Sequence, residues 1–491
     1  MRTLVSSSGT TSQKAVRSGV WVLGSRTLVR LLSAVRTVIL ARLLAPAHFG
    51  LFAIASVAVE IVEVFSRTGF TEALIQKEED IASYLDTAWV VQIFRGLALS
   101  AILVLGAPLV AQFFREPDVT PLLRLLAVGV ALRGFTNIAV VYFRKELEFH
   151  KQAIYQVSGT LTEISVSIPC ALILRNAFAL AIGFVAANAA QLVVSYLVHH
   201  YRPRFRLDLE KARELFRFGR WILSTTVFEF LVKSLDTVVV GRLLQSTSLG
   251  LYQMAVRLAN LGATEITHAI SQVTFPTYSK VKNDAAKYRQ AVLGTLGLVS
   301  AVAIPLSGLL FVFAPEGVPL ILGQKWAPIV PAFQLLVLVG ALRSVTANFG
   351  AVYLSKGRPD IQTKTSIMNA SILGITLYPL VLQLGIMGAV VARLLTLVTQ
   401  FYTWPQFLKI SGVRFRECLR TLLAPCTATA LSCLAVVFAK DLQPITNFWL
   451  LMAYGSLGLA AYVLILIMVD GFVGSIHRRN VGMLIEALRS R

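Results

Sequence analysis

The chain reads as an all-α integral membrane protein of about fourteen transmembrane helices. They form two six-helix lobes in a parallel pseudo-twofold repeat, followed by a C-terminal helix pair. Three observations carry that reading. Of 491 residues, 56% are hydrophobic and only 14% are charged, against about 25% charged in soluble domains. Apolar stretches of bilayer-spanning length, about 20 residues each, recur from one end to the other. Lys and Arg residues alternate with those stretches in a one-sided pattern.

In chain order the apolar stretches fall at 15–44, 49–70, 84–114, 121–143, 153–174, 177–199, 214–241, 250–275, 288–314, 328–354, 361–382, 386–408, 418–439 and 448–470. The Ser/Thr-rich opening from Thr3 to Gln13 reads as a mobile tail. The first stretch carries Arg26, Arg30 and Arg36 and no small-residue cleavage site, so it reads as a span and not as a signal peptide. The organisation is a cytoplasmic tail 1–14, an N-lobe 15–199, a basic cytoplasmic linker 200–213, a C-lobe 214–408, a helix pair 418–470 and a cytoplasmic tail 471–491. The connections are short and leave no room for a soluble domain.

The 46 Lys and Arg outnumber the 25 Asp and Glu, giving a net charge of +21. With the N-terminus inside, thirty of the cations flank inside loops and seven flank outside loops; the other nine lie within spans. That is the positive-inside bias of a polytopic membrane protein, so a nucleic-acid partner is excluded despite the basic charge. The four cysteines, Cys170, Cys418, Cys426 and Cys433, show no ligand spacing and read as small core residues.

Residues 41–52 align without a gap on residues 241–252, with Arg42, Leu43, Leu44, Gly50 and Leu51 identical to Arg242, Leu243, Leu244, Gly250 and Leu251. Ala131-Leu132-Arg133 is echoed by Ala341-Leu342-Arg343. Span 1 therefore matches span 7, and span 4 matches span 10. Six spans per repeat is an even number, so the repeats run parallel, and substrate sites in such transporters lie where repeats meet.

At about 100° per residue, span 1 aligns Arg26, Arg30, Ser33 and Thr37, with Arg36 at the edge of the stripe. Span 7 aligns Thr225, Glu229, Lys233 and Asp236; span 2 aligns Ser56, Glu60, Glu63 and Arg67; span 8 aligns Arg257, Thr264 and His268, with Glu265 beside them. Arg95, Arg133 with Asn137, Asn188 with Gln191, Arg343, and Arg393 with Gln400 complete the set. An ionised group at mid-bilayer costs at least about 2.5–3.5 kcal/mol on insertion scales, so these groups face protein or water. Glu229, Lys233 and Asp236 neutralise one another at helical spacing. Arg26 and Arg30 have no acid in their own helix. Either they pair with Glu60 or Glu63, or an anion visits them. No nucleotide loop and no hydrolase motif is present, so no catalysis and no cofactor or metal is expected.

The stretch "RTVILARLLAPAHFG" from Arg36 to Gly50, "TGFTEALIQK" at 68–77 and "LDTVVVGRLLQSTSLGLY" at 235–252 resemble the Wzx-type polysaccharide-transport flippases. These belong to the multidrug/oligosaccharidyl-lipid/polysaccharide exporter superfamily. The resemblance implies a V-shaped pair of bundles around a cationic cavity in the bacterial inner membrane. It implies flipping of an undecaprenyl-pyrophosphate-linked oligosaccharide from the cytoplasmic to the periplasmic leaflet, for exopolysaccharide, capsule or O-antigen. A polysaccharide polymerase and a chain-length regulator are the implied protein partners. Ser25-Arg26 followed by Arg36 is also similar to the first span of lipid II flippases, but Thr37 stands where those have Asp.

The expected substrate-binding residues are Arg26, Arg30, Arg36, Arg133, Asn137, Asn188, Gln191, Lys233, Arg257 and Arg343, with Asn348 as a further sugar-binding amide. Arginines suit a pyrophosphate because they hold it bidentately and stay charged. Glu60, Asp236 and Glu265 are the carboxylates to consider for ion coupling. The alternatives are a lipid II flippase, a multidrug or cation antiporter with an acidic lining, and a polysaccharide polymerase or ligase, which calls for a catalytic outside loop.

Overall fold

The computed structural model describes residues 11–77, 81–146 and 148–473; for 11–20, 22–23, 218–229, 231–232, 261–273, 276 and 470–473 it describes the backbone only. Thr225, Glu229, Thr264, Glu265 and His268 therefore lie outside the residues whose side chains are described, as do most of both tails.

All regular structure among the described residues is helical. The chain divides into two units, residues 1–250 and 251–491. The first holds α1 (Thr11–Leu43), α2 (Pro46–Phe65), α3 (Phe70–Gln76), α4 (Ala82–Phe114), α5 (Val119–Gly134), a 3₁₀ turn (Ile138–Val141) running into α6 (Tyr142–Lys145), α7 (Phe149–Leu174) and α8 (Phe178–Val198). The helix α9 (Leu209–Val281) crosses the boundary, and its backbone breaks at Gln245 (φ 65°, ψ 176°). The second unit continues with α10 (Ala285–Leu322), a 3₁₀ turn (Gln324–Ile329), α11 (Val330–Thr346), α12 (Phe349–Ser355), α13 (Pro359–Leu384), α14 (Ile386–Leu395), a 3₁₀ turn (Thr396–Thr399), α15 (Gln400–Ser411), α16 (Phe415–Leu442) and α17 (Phe448–Val473).

Among the described residues, ten helical stretches are long and apolar enough to cross a membrane, and an eleventh is α5 with its bent continuation. The protein is thus a multi-pass membrane protein, but length and apolarity alone do not reach fourteen. The other three expected spans coincide with α1 and the two arms of α9, where charged residues interrupt the apolar run. Such helices are tolerated in a bilayer only where those charges face protein or water.

In the first unit α1 packs on α7, α7 on α8, α8 on α5, and α5 on α4 and α2. An apolar cluster of Phe70, Leu74, Ile81, Leu85, Ile138, Val141 and Leu215 ties α3 to the starts of α4 and α9 and to the bent span. In the second unit α10 packs on α11 and α16, and α16 on α17. Its cluster centres on Tyr278, Tyr288, Phe349, Tyr353 and Phe407. Cys418 lies in that cluster, whereas Cys426 is exposed and so is not a core residue.

Both units make their tight turns in similar ways. The turns after α4 and α7 pass through left-handed Arg115 (φ 59°) and Arg175 (φ 50°). Those after α10 and α13 use Gly323 (φ 105°) and Gly385 (φ 58°). The first unit also has a broken span, in which α5 ends just past Arg133 and the next short helical piece is bent by 77° from it.

Candidate functional site

The arginines of α1 divide into two groups. Arg26 is exposed and Arg30, one turn on, is half-buried. The Thr37 hydroxyl donates to the Ser33 carbonyl at 2.8 Å, so that end of the stripe is engaged by its own helix. Arg36 is ion-paired with Glu163 of α7, which places it in the α1–α7 packing contact.

Neither Glu60 nor Glu63 pairs with Arg26 or Arg30. Glu63 receives both Arg133 Nη1 contacts, at 2.9 and 3.2 Å. Arg133 Nε donates to Asn188 Oδ1 at 2.5 Å, and its guanidinium lies over the Phe184 ring, 4.9 Å from the centroid. The Asn188 amide donates back to the Phe184 carbonyl at 2.7 Å. Gly129 of α5 makes room for this contact, since a Cβ there would press on Phe184 and Asn188. The cluster joins α2, α5 and α8. Beside it, Arg95 closes the end of α2, donating to the Glu63 and Ser66 carbonyls at 2.9 and 2.8 Å. Those are carbonyls that a helix C-terminus leaves unsatisfied. Glu60 is taken by Lys233 of α9 at 3.3 Å, with both side chains exposed.

Asn137 does not share a face with Arg133. The helix ends at Gly134, so the 100° projection fails across the break. Asn137 is fully buried, and its Oδ1 caps the 3₁₀ turn through Ala139 N–H at 3.0 Å while its Nδ2 donates to the Tyr201 carbonyl at 2.8 Å. Its amide is committed to the backbone and is removed from the set that can reach a sugar. Gln191 packs against Gly159 of α7. Asp236 is buried, and its Oδ1 accepts from Thr237 N–H at 2.8 Å. Arg257 and Arg343 are exposed residues of the second unit, and Asn348 is buried there. Among the described residues, no three His, Cys, Asp or Glu side chains converge to hold a metal.

Two contacts escaped the sequence reading. Gln92 of α4 donates to the carbonyls of Arg133, Gly134 and Thr136 at 3.1, 3.2 and 3.1 Å, which clamps the broken span. A lone Gln gives no sequence signal for that role. The second lies at the aligned segments. Gly50 abuts the Ser246 carbonyl, and Gly250 abuts the Pro46 carbonyl, so closely that a Cβ at either glycine would collide with backbone. Adding 200 to Gly50 and taking 200 from Ser246 turns the first contact into the second. Glu116 accepts from Ser246 N–H at 2.7 Å, and Arg242 stacks over Phe113 at 5.4 Å. The identical glycines were visible in the sequence as a repeat, but the reason for them was not.

The family model described as "Polysaccharide biosynthesis protein" matches residues 39–331. The lipopolysaccharide biosynthesis protein WzxC of Escherichia coli (strain K12) is 26% identical over 72% of this chain and 73% of its own length. The succinoglycan biosynthesis transport protein ExoT of Rhizobium meliloti (strain 1021) is 25% identical over 69% of each. Among solved structures, a lipid II flippase MurJ in an inward closed conformation superposes with a TM-score of 0.72 at 14% identity, covering 91% of this chain and 98% of that one. An inward-facing multidrug transporter of the MATE family superposes with 0.60 at 16% identity, covering 78% and 96%. These two likenesses are of fold.

Proposed function

The chain belongs to the polysaccharide biosynthesis protein family, and from that premise we propose that it is a flippase for an undecaprenyl-pyrophosphate-linked oligosaccharide. It carries the unit from the cytoplasmic to the periplasmic leaflet. One relative is by name a lipopolysaccharide biosynthesis protein and another a succinoglycan biosynthesis transport protein, and the reading is of a transporter, not an enzyme. A flippase must pass a hydrated sugar and a doubly charged pyrophosphate through hydrocarbon while the polyprenyl tail stays in lipid.

The observation that supports the head-group site is the pair Arg26 and Arg30, one turn apart on α1. Two guanidinium groups at this spacing can grip a pyrophosphate bidentately. Lys233 is exposed and is assigned here as a third cation. Arg133 and Asn188, joined to Glu63, are assigned to the sugar end. Arg36 holds α1 on α7 and positions the stripe.

The test is complementation of a flippase-deficient strain, with membrane levels of each variant measured. A charge-assisted hydrogen bond is worth about 1.5–3 kcal/mol, so losing one arginine should weaken substrate engagement roughly tenfold or more. Arg26→Ala, Arg30→Ala and Arg26→Lys should each impair export at normal protein levels, the last because an ammonium lacks the fork. Full export by Arg26→Ala with Arg30→Ala would overturn the site. Glu60, Asp236 and Glu265 are assigned to ion coupling; unchanged export after amide substitution of all three would end that assignment.

A further inference from the structure

The segment between α8 and α9 carries more than a topological signal. From 202 to 217 it holds six cations and three acids. Arg202, Arg204, Arg206, Arg213 and Arg217 are exposed, and Arg204, Arg206 and Arg213 enter no ion pair among the described residues. Interleaved with them, Phe205 is 67% exposed, Leu207 51%, Leu209 74% and Phe216 49%. A water-facing linker does not carry four large apolar side chains in twelve residues; such a patch marks an interaction surface.

The segment is fixed along the first turns of α4. Arg204 N–H and the Tyr201 hydroxyl both donate to Asp86 Oδ1, at 2.8 and 2.6 Å. Asp208 N–H donates to Thr87 Oγ1 at 3.1 Å, and Lys211 Nζ to the Ser83 carbonyl at 3.0 Å. Phe205 thereby meets Trp89 and Phe94 edge-on, with centroids 6.4 and 6.0 Å apart. Phe94 is exposed on a membrane-spanning helix, as is Leu97 just beyond it. Trp89 and Tyr196 both donate to the Phe135 carbonyl. Tryptophan and tyrosine gathered at a span's end mark the headgroup level of a bilayer. The segment is therefore continuous with the exposed apolar surface of α4, at the end of that span.

We propose that residues 202–217 form an interfacial strap that lies in the membrane surface and binds anionic phospholipid. Arg204, Arg206 and Arg213 hold the headgroup phosphates, and Phe205, Leu207 and Leu209 enter the acyl boundary. Basic residues alternating with large apolar ones are the composition that binds such surfaces. The strap fastens the connection between the two sequence repeats to one leaflet. This role is independent of what the protein transports.

Hydrogen–deuterium exchange of the full chain in lipid nanodiscs tests it. Backbone amides of 202–217 should exchange several-fold more slowly when phosphatidylglycerol is added to phosphatidylcholine discs. High salt should remove the difference, because it screens exposed charges. A triple variant, Arg204→Gln with Arg206→Gln and Arg213→Gln, should show no lipid dependence while peptides from α13 keep their wild-type protection. Equal exchange of the wild-type strap in the two disc types would overturn the proposal, and that comparison stands even if the variant misfolds. So would inorganic phosphate in neutral discs giving the same protection, which would make the site one for soluble anions.

Discussion

At the residue scale, single atoms decide what is permitted. Gly50→Ala and Gly250→Ala should each destabilise the protein and abolish export, because backbone must move to admit the new methyl. Gly106→Ala, on the same kind of apolar helix, meets nothing within 4 Å and should be neutral or stabilising by up to about 1 kcal/mol. Thermal unfolding in detergent separates the three; equal behaviour would show that the reciprocal contact is not maintained. Arg175→Gly should leave stability unchanged or raise it, since a left-handed backbone costs a side-chain-bearing residue about 1–2 kcal/mol. Arg175→Val should lower it. The cationic residues of α1 stood out in the sequence, because a charge in hydrocarbon is too costly to be incidental. Arg36 was not assigned its partner, because Glu163 is 127 positions away and periodicity within one helix carries no information about which helix lies opposite.

At the scale of elements, the broken span is the feature the sequence concealed. Residues 121–143 read as one apolar run, yet the chain bends by 77° between α5 and the turn that follows. What makes the bend affordable is the satisfaction of freed backbone groups by Gln92, Asn137, Ser195 and Tyr196. Asn137→Ala should therefore cost about 1–3 kcal/mol, the usual result of leaving buried polar groups without partners. A thermal shift of the purified protein measures it, and a neutral result would mean the bend does not depend on this side chain. At the start of α10, the Asp284 carboxylate accepts from Lys287 and Ala286 N–H at 3.0 and 3.1 Å. The Lys287 amide and ammonium, then the Ala286 amide, hold its pKa below the ordinary value of 3.8. The native state thus binds the proton less readily than the unfolded chain, so the cap's contribution is present above 3.8 and lost as pH falls through the folded value. Asp284→Asn should flatten that part of the acid dependence of unfolding while keeping a capping acceptor.

At the scale of the whole molecule, the sidedness of the loops is the property most open to direct measurement. In a cysteine-free background, Glu210→Cys, exposed in the same linker, should react with an impermeant thiol reagent only after the cytoplasmic face is exposed, and Ser248→Cys should react in intact cells. The opposite pattern would reverse the orientation drawn from the Lys and Arg distribution. The sequence by itself determined that the chain is helical, membrane-embedded and internally repeated. These properties are written locally: hydropathy and charge are summed over neighbouring residues, and in a bilayer a regular helix satisfies its backbone groups within itself. Family membership was legible for the same reason, in short contiguous motifs around Arg36–Gly50 and Leu235–Tyr252. Only the tertiary structure decided which cation meets which acid, that Asn137 serves the backbone, that Gly50 and Gly250 exchange the same contact, and that the linker's arginines and aromatics lie along α4. Each of those depends on groups far apart in the chain being brought within about 3–6 Å, a relation that no local pattern encodes.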